Sequence, residues 1–320
     1  MSRTVFVPVR WGGRTKRRRR DPPTPPGRAT RTRLPEEWQG RKDSNPRPSV
    51  LETDALTRLS YAPSGRTEIL TQALLVSGHV STVDDLPVLI VGDVHGDLER
   101  LFEALKPYPA AEWHTIFLGD LVDYGMFGTG ALRYSRDRAN STVLLGNHEV
   151  AMLWALRDPT RIGSWMAIGG QSHDLDELAR DGPLQDWMHE RPALTRLADR
   201  TLVQHCGNDG YGLLIQAADL DPVAAVNARV RDLLLHQGEA TLWDVMSGRN
   251  IFPTQPERLD RWLGATGSRR VVFGHSPHGG RTPQTYHEGR AINFDGGFSR
   301  SIRSVRRTGP TGATVAPLDR

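Results

Sequence analysis

The 320-residue chain is 38% hydrophobic and 24% charged, with one cysteine and a formal net charge of +4. A single cysteine excludes an internal disulfide framework, and no apolar run approaches the roughly 20 residues of a transmembrane helix. The basic charge is local: residues 1–70 hold 16 Lys and Arg against 7 Asp and Glu, whereas the other 250 hold 25 against 30.

The chain opens with a segment rich in Pro, Arg, Thr and Gly, including Pro22-Pro23-Thr24-Pro25-Pro26. Such a composition buries too little apolar surface to offset its ordering entropy, so residues 1–80 are expected to be a disordered basic extension. A basic arm suits nucleic acid, but an inert tail is the simpler reading. Neither nucleic acid nor membrane is an expected partner. Arg17 to Arg20 are followed by Asp21 and prolines rather than an apolar segment, so no export signal is read and the cytoplasm is the expected compartment. Residues 38–62, around Asn45-Pro46-Arg47, also resemble the translation of the strand opposite a tRNA gene. Ser-Asn-Pro-Arg at 44–47 is compatible with codons whose complement contains GTTCGA, and Leu59-Ser60-Tyr61-Ala62 with a complement containing TAGCTCA. That places the expected start of translation near residues 65–85.

From about residue 84 the pattern becomes regular. Val88-Leu89-Ile90-Val91 reads as a strand buried on both faces, ending at Gly92-Asp93-Val94-His95-Gly96. Leu98, Leu101, Phe102 and Leu105 carry the spacing of an amphipathic helix, stopped by Pro107 and Pro109. Thr115 to Leu118 predicts a second strand before Gly119-Asp120-Leu121-Val122-Asp123, and Thr142 to Leu145 a third before Gly146-Asn147-His148-Glu149. Asp93, Asp120 and Asn147 are each 27 residues apart, the length of one strand–helix–strand step, so the three blocks should lie side by side at one sheet edge. A helix follows with Met152, Leu153 and Leu156 facing inward. Strands are expected again at Thr201–Gln204 before His205, at Arg270–Phe273 before Gly274-His275, and at Ala291–Phe294 before Asp295. Residues 150–200 and 216–265 read as mostly helical. The tail from 306 to 320 is expected to fray.

The blocks carry the chemistry. Asp93 and His95 alternate about a glycine turn and can aim at one ion, Asp120 is placed to bridge, Asn147 offers a carbonyl oxygen, and His205 and His275 can complete a second site. Mixed Asp, His and Asn donors suit Mn, Fe or Zn. Two such ions act as Lewis acids on a phosphoryl group and generate a hydroxide nucleophile. His148 is read as the acid that protonates the leaving alkoxide, with Asp123 holding its ring. Cys206, although beside His205, reads as core packing. His79, His114, His173, His189, His236 and His287 fit no ligand pattern.

The ordered set Gly-Asp-x-His-Gly, Gly-Asp-x-x-Asp, Gly-Asn-His-Glu, a later His and then Gly-His resembles the calcineurin-like metallophosphoesterases, in particular the bacterial form of their phosphoprotein phosphatase branch. The resemblance covers about residues 86–300. It implies an α/β fold of two packed sheets flanked by helices (α-β-β-α layers), with the site at the carboxyl ends of the strands and a catalytic domain over 81–305. It also implies metal ligands Asp93, His95, Asp120, Asn147, His205 and His275, a general acid His148, and two divalent or trivalent ions. The family's second block ends Asp-Arg-Gly, whereas this chain has Asp123-Tyr124-Gly125. Arg249 resembles a second phosphate-binding arginine of the family, and Tyr124, His278 and Arg281 are further phosphate-binding candidates. The expected reaction is hydrolysis of a phosphate monoester on a protein or a small molecule. Hydrolysis of dinucleoside polyphosphates or diesters, and a non-catalytic metal- or phosphate-binding role, are the alternatives.

Overall fold

The structure is a computed structural model that describes residues 86–280, 282–297 and 315–319. The expectations for residues 1–80 and for Arg281 lie outside the described residues.

Four strands form one sheet: β1 (Val88–Val91), β2 (His114–Phe117), β3 (Ser141–Val143) and β9 (Val315–Pro317). Their order is β3-β2-β1-β9, with the first three parallel and β9 antiparallel to β1. The second sheet has the order β4-β5-β6-β8-β7, from Leu194–Arg196, Thr201–Cys206, Arg270–Gly274, Ala291–Asn293 and Gln284–Tyr286 respectively. Here β5, β6 and β8 are parallel, and β4 and β7 are antiparallel edge strands.

The two-residue period of the strands explains the layering. Val88, Ile90, Ile116 and Leu118 from the first sheet cluster with Val203, Val272 and Ile292 from the second, forming the dry layer between sheets. The intervening Leu89, Val91 and Phe117 belong to the larger core that includes the helices. These are α1 (Leu98–Leu105), α2 (Gly128–Asp137), α3 (Asn147–Arg157), α4 (Ile162–Ala167), α5 (Ser172–Ala179), α6 (Gly182–His189), α7 (Pro222–Leu235), α8 (Glu239–Met246), α9 (Ile251–Thr254) and α10 (Pro256–Thr266). Among the described residues no helix is long and apolar enough to cross a membrane.

Two expectations need correction. The tail expected to fray from 306 returns at Val315–Pro317 as an edge strand, and Leu318 is buried in the layer between the sheets. A three-residue strand ending in proline gives almost no local signal; its pairing with β1 and the burial of Leu318 hold it. Phe102, placed on the inner face of α1 by its spacing, is instead 43% exposed and meets the ring of Tyr134 edge to face.

A candidate metal centre at the strand ends

Strand order decides where each block lands. Because β2 lies between β1 and β3, Asp120 sits between Asp93 on one side and Asn147 on the other. The chain turns sharply to make this possible. Asp120 and His95 both have φ of 51°, and Asp123, Tyr124 and His275 have φ of 70°, 60° and 65°. Left-handed backbone at non-glycine residues costs on the order of 1–3 kcal/mol each and persists where the surroundings over-determine it. Gly146 is obligatory for a different reason: a Cβ there would lie 2.2 Å from the backbone nitrogen of Asp120.

One buried carboxylate ties these turns together. Glu149 accepts the backbone N–H of Asp120 and of Gly146 on Oε2, at 2.8 and 2.9 Å, and those of Leu121 and Val122 on Oε1, at 2.7 and 3.2 Å. Satisfying four buried donors with one side chain fixes the second block against the third. Glu149 stands in the first turn of α3. Its spacing three residues after Gly146 is the capping-box signal that could have exposed this role.

Two clusters of donors share Asp120: His95, Asp120 and His148, and Asp120, His205 and His275. All five of these residues are buried. His95 Nε2 lies 3.8 Å from Oδ2 of Asp93 and 3.8 Å from Oδ2 of Asp120. His205 Nε2 lies 3.4 Å from Oδ1 of Asp120 and 2.9 Å from Oδ1 of Asn147. Asp93 Oδ1 accepts the backbone N–H of His275 at 2.9 Å, which carries the second sheet's contribution to the first.

The imidazoles differ in their hydrogen-bond partners. Nδ1 of His95 meets the carbonyl oxygen of Val122 at 2.9 Å, and Nδ1 of His205 meets that of Leu118 at 2.9 Å. A carbonyl only accepts, so each Nδ1 carries a hydrogen, and Nε2 is the nitrogen each ring turns toward the carboxylates. Burial pushes the pKa of His205 down to about 3, which keeps it neutral. His275 is the mirror case: its Nε2 faces the Ser247 carbonyl at 3.3 Å, and its buried Nδ1 has no hydrogen-bond partner. Burial also holds its pKa well below the usual range. Bare nitrogens facing carboxylate oxygens repel, and a cation between them converts that repulsion into coordination. The carboxylates agree. Burial, then the neighbouring Asp295, pushes the pKa of Asp93 well up; burial, then Asp93, does the same for Asp120. The donor set therefore fits divalent ions, with carbonyl partners fixing the imidazoles as second partners of metal-bound histidines do.

His148 differs because its Nδ1 partner is a carboxyl group, Oδ2 of Asp123 at 2.6 Å. Burial pushes the Asp123 pKa well up and that of His148 down to about 3, so the pair keeps one proton between them. Nε2 of His148 lies 3.9 Å from Oδ2 of Asp120.

The sequence profile of the calcineurin-like phosphoesterases matches residues 86–291. The chain belongs to that family. A 91-residue stretch of this calcineurin-like phosphoesterase is 37% identical to the serine/threonine-protein phosphatase 4 catalytic subunit of Eremothecium gossypii. The match spans 26% of the phosphoesterase and 28% of that relative's length. The crystal structure of the cold-active protein-tyrosine phosphatase of a psychrophilic Shewanella species superposes with a TM-score of 0.51 and 18% identity, over 67% of this chain and 72% of that one. A second structure of a cold-active protein tyrosine phosphatase gives a TM-score of 0.50 and 18% identity, over 67% and 71%. At such identity the likeness speaks to the fold, which is the expected α/β arrangement of two sheets flanked by helices. As a calcineurin-like phosphoesterase the protein is a hydrolase.

The phosphate-binding candidates fare unevenly in the phosphoesterase. Arg249, in the loop after α8, is exposed, and its charge acts on Asp93, His148, His205 and His275, so it stands at the mouth of the site. Tyr124 packs its ring edge against His95 at 4.8 Å between centroids and lies 5.4 Å from His148. His278 is not brought into either cluster; its Nδ1 accepts the Gly280 N–H, and its backbone N–H donates to the Asp295 carbonyl. Two buried residues went unread as site components. Asp295 raises the pKa of Asp93 from the second sheet, and Trp165 donates its indole N–H to Oδ1 of Asp123 at 2.9 Å. Trp165 lies 42 residues from Asp123 in a helical stretch and gives no motif signal.

Proposed function

We propose that the protein hydrolyses phosphate monoesters, with Asp93, His95 and Asp120 holding one divalent ion and Asp120, Asn147, His205 and His275 a second. The observation that carries the reading is the sorting of imidazoles around Asp120. His95, His205 and His275 each spend one nitrogen on a carbonyl and present the other bare, whereas His148 is backed by a carboxyl group. Bound ions supply Lewis acidity to the phosphoryl oxygens and lower the pKa of water. The protein's own groups do the rest. Arg249 orients the phosphate as a charge-assisted donor at the mouth of the site. Tyr124 borders the same space where the family pattern has an arginine, and its ring shapes the approach to His95 and His148. His148 delivers the Nε2 hydrogen to the departing alkoxide while Asp123 stabilises the ring. The stretch shared with a serine/threonine phosphatase favours a protein hydroxyl as the alcohol.

The test compares two esters on His148→Asn. Turnover of an alkyl phosphate should fall about 100-fold or more, that of p-nitrophenyl phosphate far less, because a good leaving group needs no proton. Metal content should stay at the wild-type level. Full activity of the variant on the alkyl ester would overturn the reading.

A further inference from the structure

The Asp123 carboxylate has two oxygens and faces two donors. Oδ2 meets Nδ1 of His148 at 2.6 Å, and Oδ1 accepts the indole N–H of Trp165 at 2.9 Å, both in the buried interior. A carboxylate held at only one oxygen can swing about its terminal torsion, which is broad and two-fold. One held at both cannot. Trp165 is itself immobilised: it is 2% exposed, and a Cβ at Gly170 would lie 2.3 Å from its ring. The same loop reaches the site a second way. Gly169, at φ of 115°, accepts the backbone N–H of Tyr124 at 2.7 Å, and a Cβ there would lie 2.4 Å from the Tyr124 ring. The α4 helix and its two following glycines thus grip Asp123 through Trp165 and Tyr124 through its backbone.

We propose that Trp165 is a positioning residue for the leaving-group acid: its indole hydrogen bond locks the Asp123 carboxylate so that Oδ2 alone faces His148 and aims its Nε2 at the departing oxygen. The proposal rests on His148 acting as that acid. Trp165 donates from α4 to the Asp123 oxygen that does not meet His148, and Asp123 itself is fully buried. Catalytic geometry tolerates little error, and an acid misaimed by a fraction of an ångström loses much of its effect.

The experiment measures kcat and KM on an alkyl phosphate and on p-nitrophenyl phosphate for Trp165→Phe, Trp165→His and each change combined with His148→Asn, with metal content and thermal midpoint alongside. Trp165→Phe keeps most of the ring but removes the donor. It should lower kcat on the alkyl ester about tenfold or more, the scale of one hydrogen bond to a charged group, with KM unchanged and the p-nitrophenyl rate within about threefold of wild type. Trp165→His packs worse but keeps an N–H, and should recover part of the alkyl-ester rate. In the His148→Asn background neither change should cost anything further, because Trp165 acts through His148. Equal losses on both esters, or losses that persist in the His148→Asn background, would overturn the proposal. If Trp165→Phe does not fold, Trp165→Leu, which also lacks a donor, carries the same comparison, and a loss that persists in the His148→Asn background overturns the proposal equally. If His148→Asn itself fails to separate the two esters, the acid assignment falls instead, which distinguishes the two failures.

Discussion

Nε2 of His205 stands 2.9 Å from Oδ1 of Asn147. With Nδ1 of His205 engaged by the Leu118 carbonyl, both facing atoms offer lone pairs, and their closeness is stabilising only around a cation. His205→Ala should therefore remove metal before it disturbs the fold. Elemental analysis should show the bound-metal count reduced by one ion relative to wild type. Activity should fall on the order of a thousandfold, the loss of several kcal/mol of Lewis-acid stabilisation. Unchanged stoichiometry would remove His205 from the ligand set.

Metal uptake should release protons, and the carboxylates should supply them. The pKa values of Asp93 and Asp120 are raised, first by burial and then by a neighbouring carboxylate, Asp295 for Asp93 and Asp93 for Asp120, so in the metal-free protein they hold protons above the usual carboxylate range. His205, pushed down to about 3, holds none near neutrality. Raised acids must lose protons to coordinate, so affinity falls as pH drops and the number of protons released grows towards pH 6. Calorimetric titration with Mn at pH 6 and pH 8, in buffers of different ionisation enthalpy, reads this directly. Release that is absent at pH 6 would contradict the assignment.

Glu149→Gln keeps the shape but replaces one acceptor oxygen with an amide donor facing two backbone N–H groups. Each unsatisfied buried donor costs about 1–3 kcal/mol. The thermal midpoint should drop by roughly 5–10 °C, given 2–4 °C per kcal/mol for domains of this size. A variant that melts with the wild type would show that the four hydrogen bonds are dispensable.

Ending the chain at residue 312 removes β9 and Leu318. The edge of β1 loses its antiparallel partner, and the inter-sheet layer loses a buried leucine worth about 1.5–3 kcal/mol. The truncated protein should melt several degrees lower and aggregate more readily through the exposed β1 edge. Light scattering on heating measures the second effect.

The parallel strands and the polar groups at their ends were legible in the sequence because each is local: a β-branched run, a glycine, then a carboxylate, amide or imidazole side chain. Their side-by-side placement followed from the equal spacing of Asp93, Asp120 and Asn147. What stayed hidden depends on long-range pairing. Trp165 meets Asp123 across 42 residues, and the edge strands at Leu194–Arg196, Gln284–Tyr286 and Val315–Pro317 are too short to show a period. Phe102 misled because helical spacing identifies an apolar stripe without saying how wide the covering surface is.

The left-handed turns at His95, Asp120 and His275 have an evolutionary corollary. At each of these positions glycine would relieve the backbone, so the substitutions that stabilise the scaffold are the ones that empty the site. A library of this protein selected for heat resistance alone should accumulate glycine at 95, 120 and 275 and converge on a well-folded, inert shell. Selection for turnover must hold these positions against that drift.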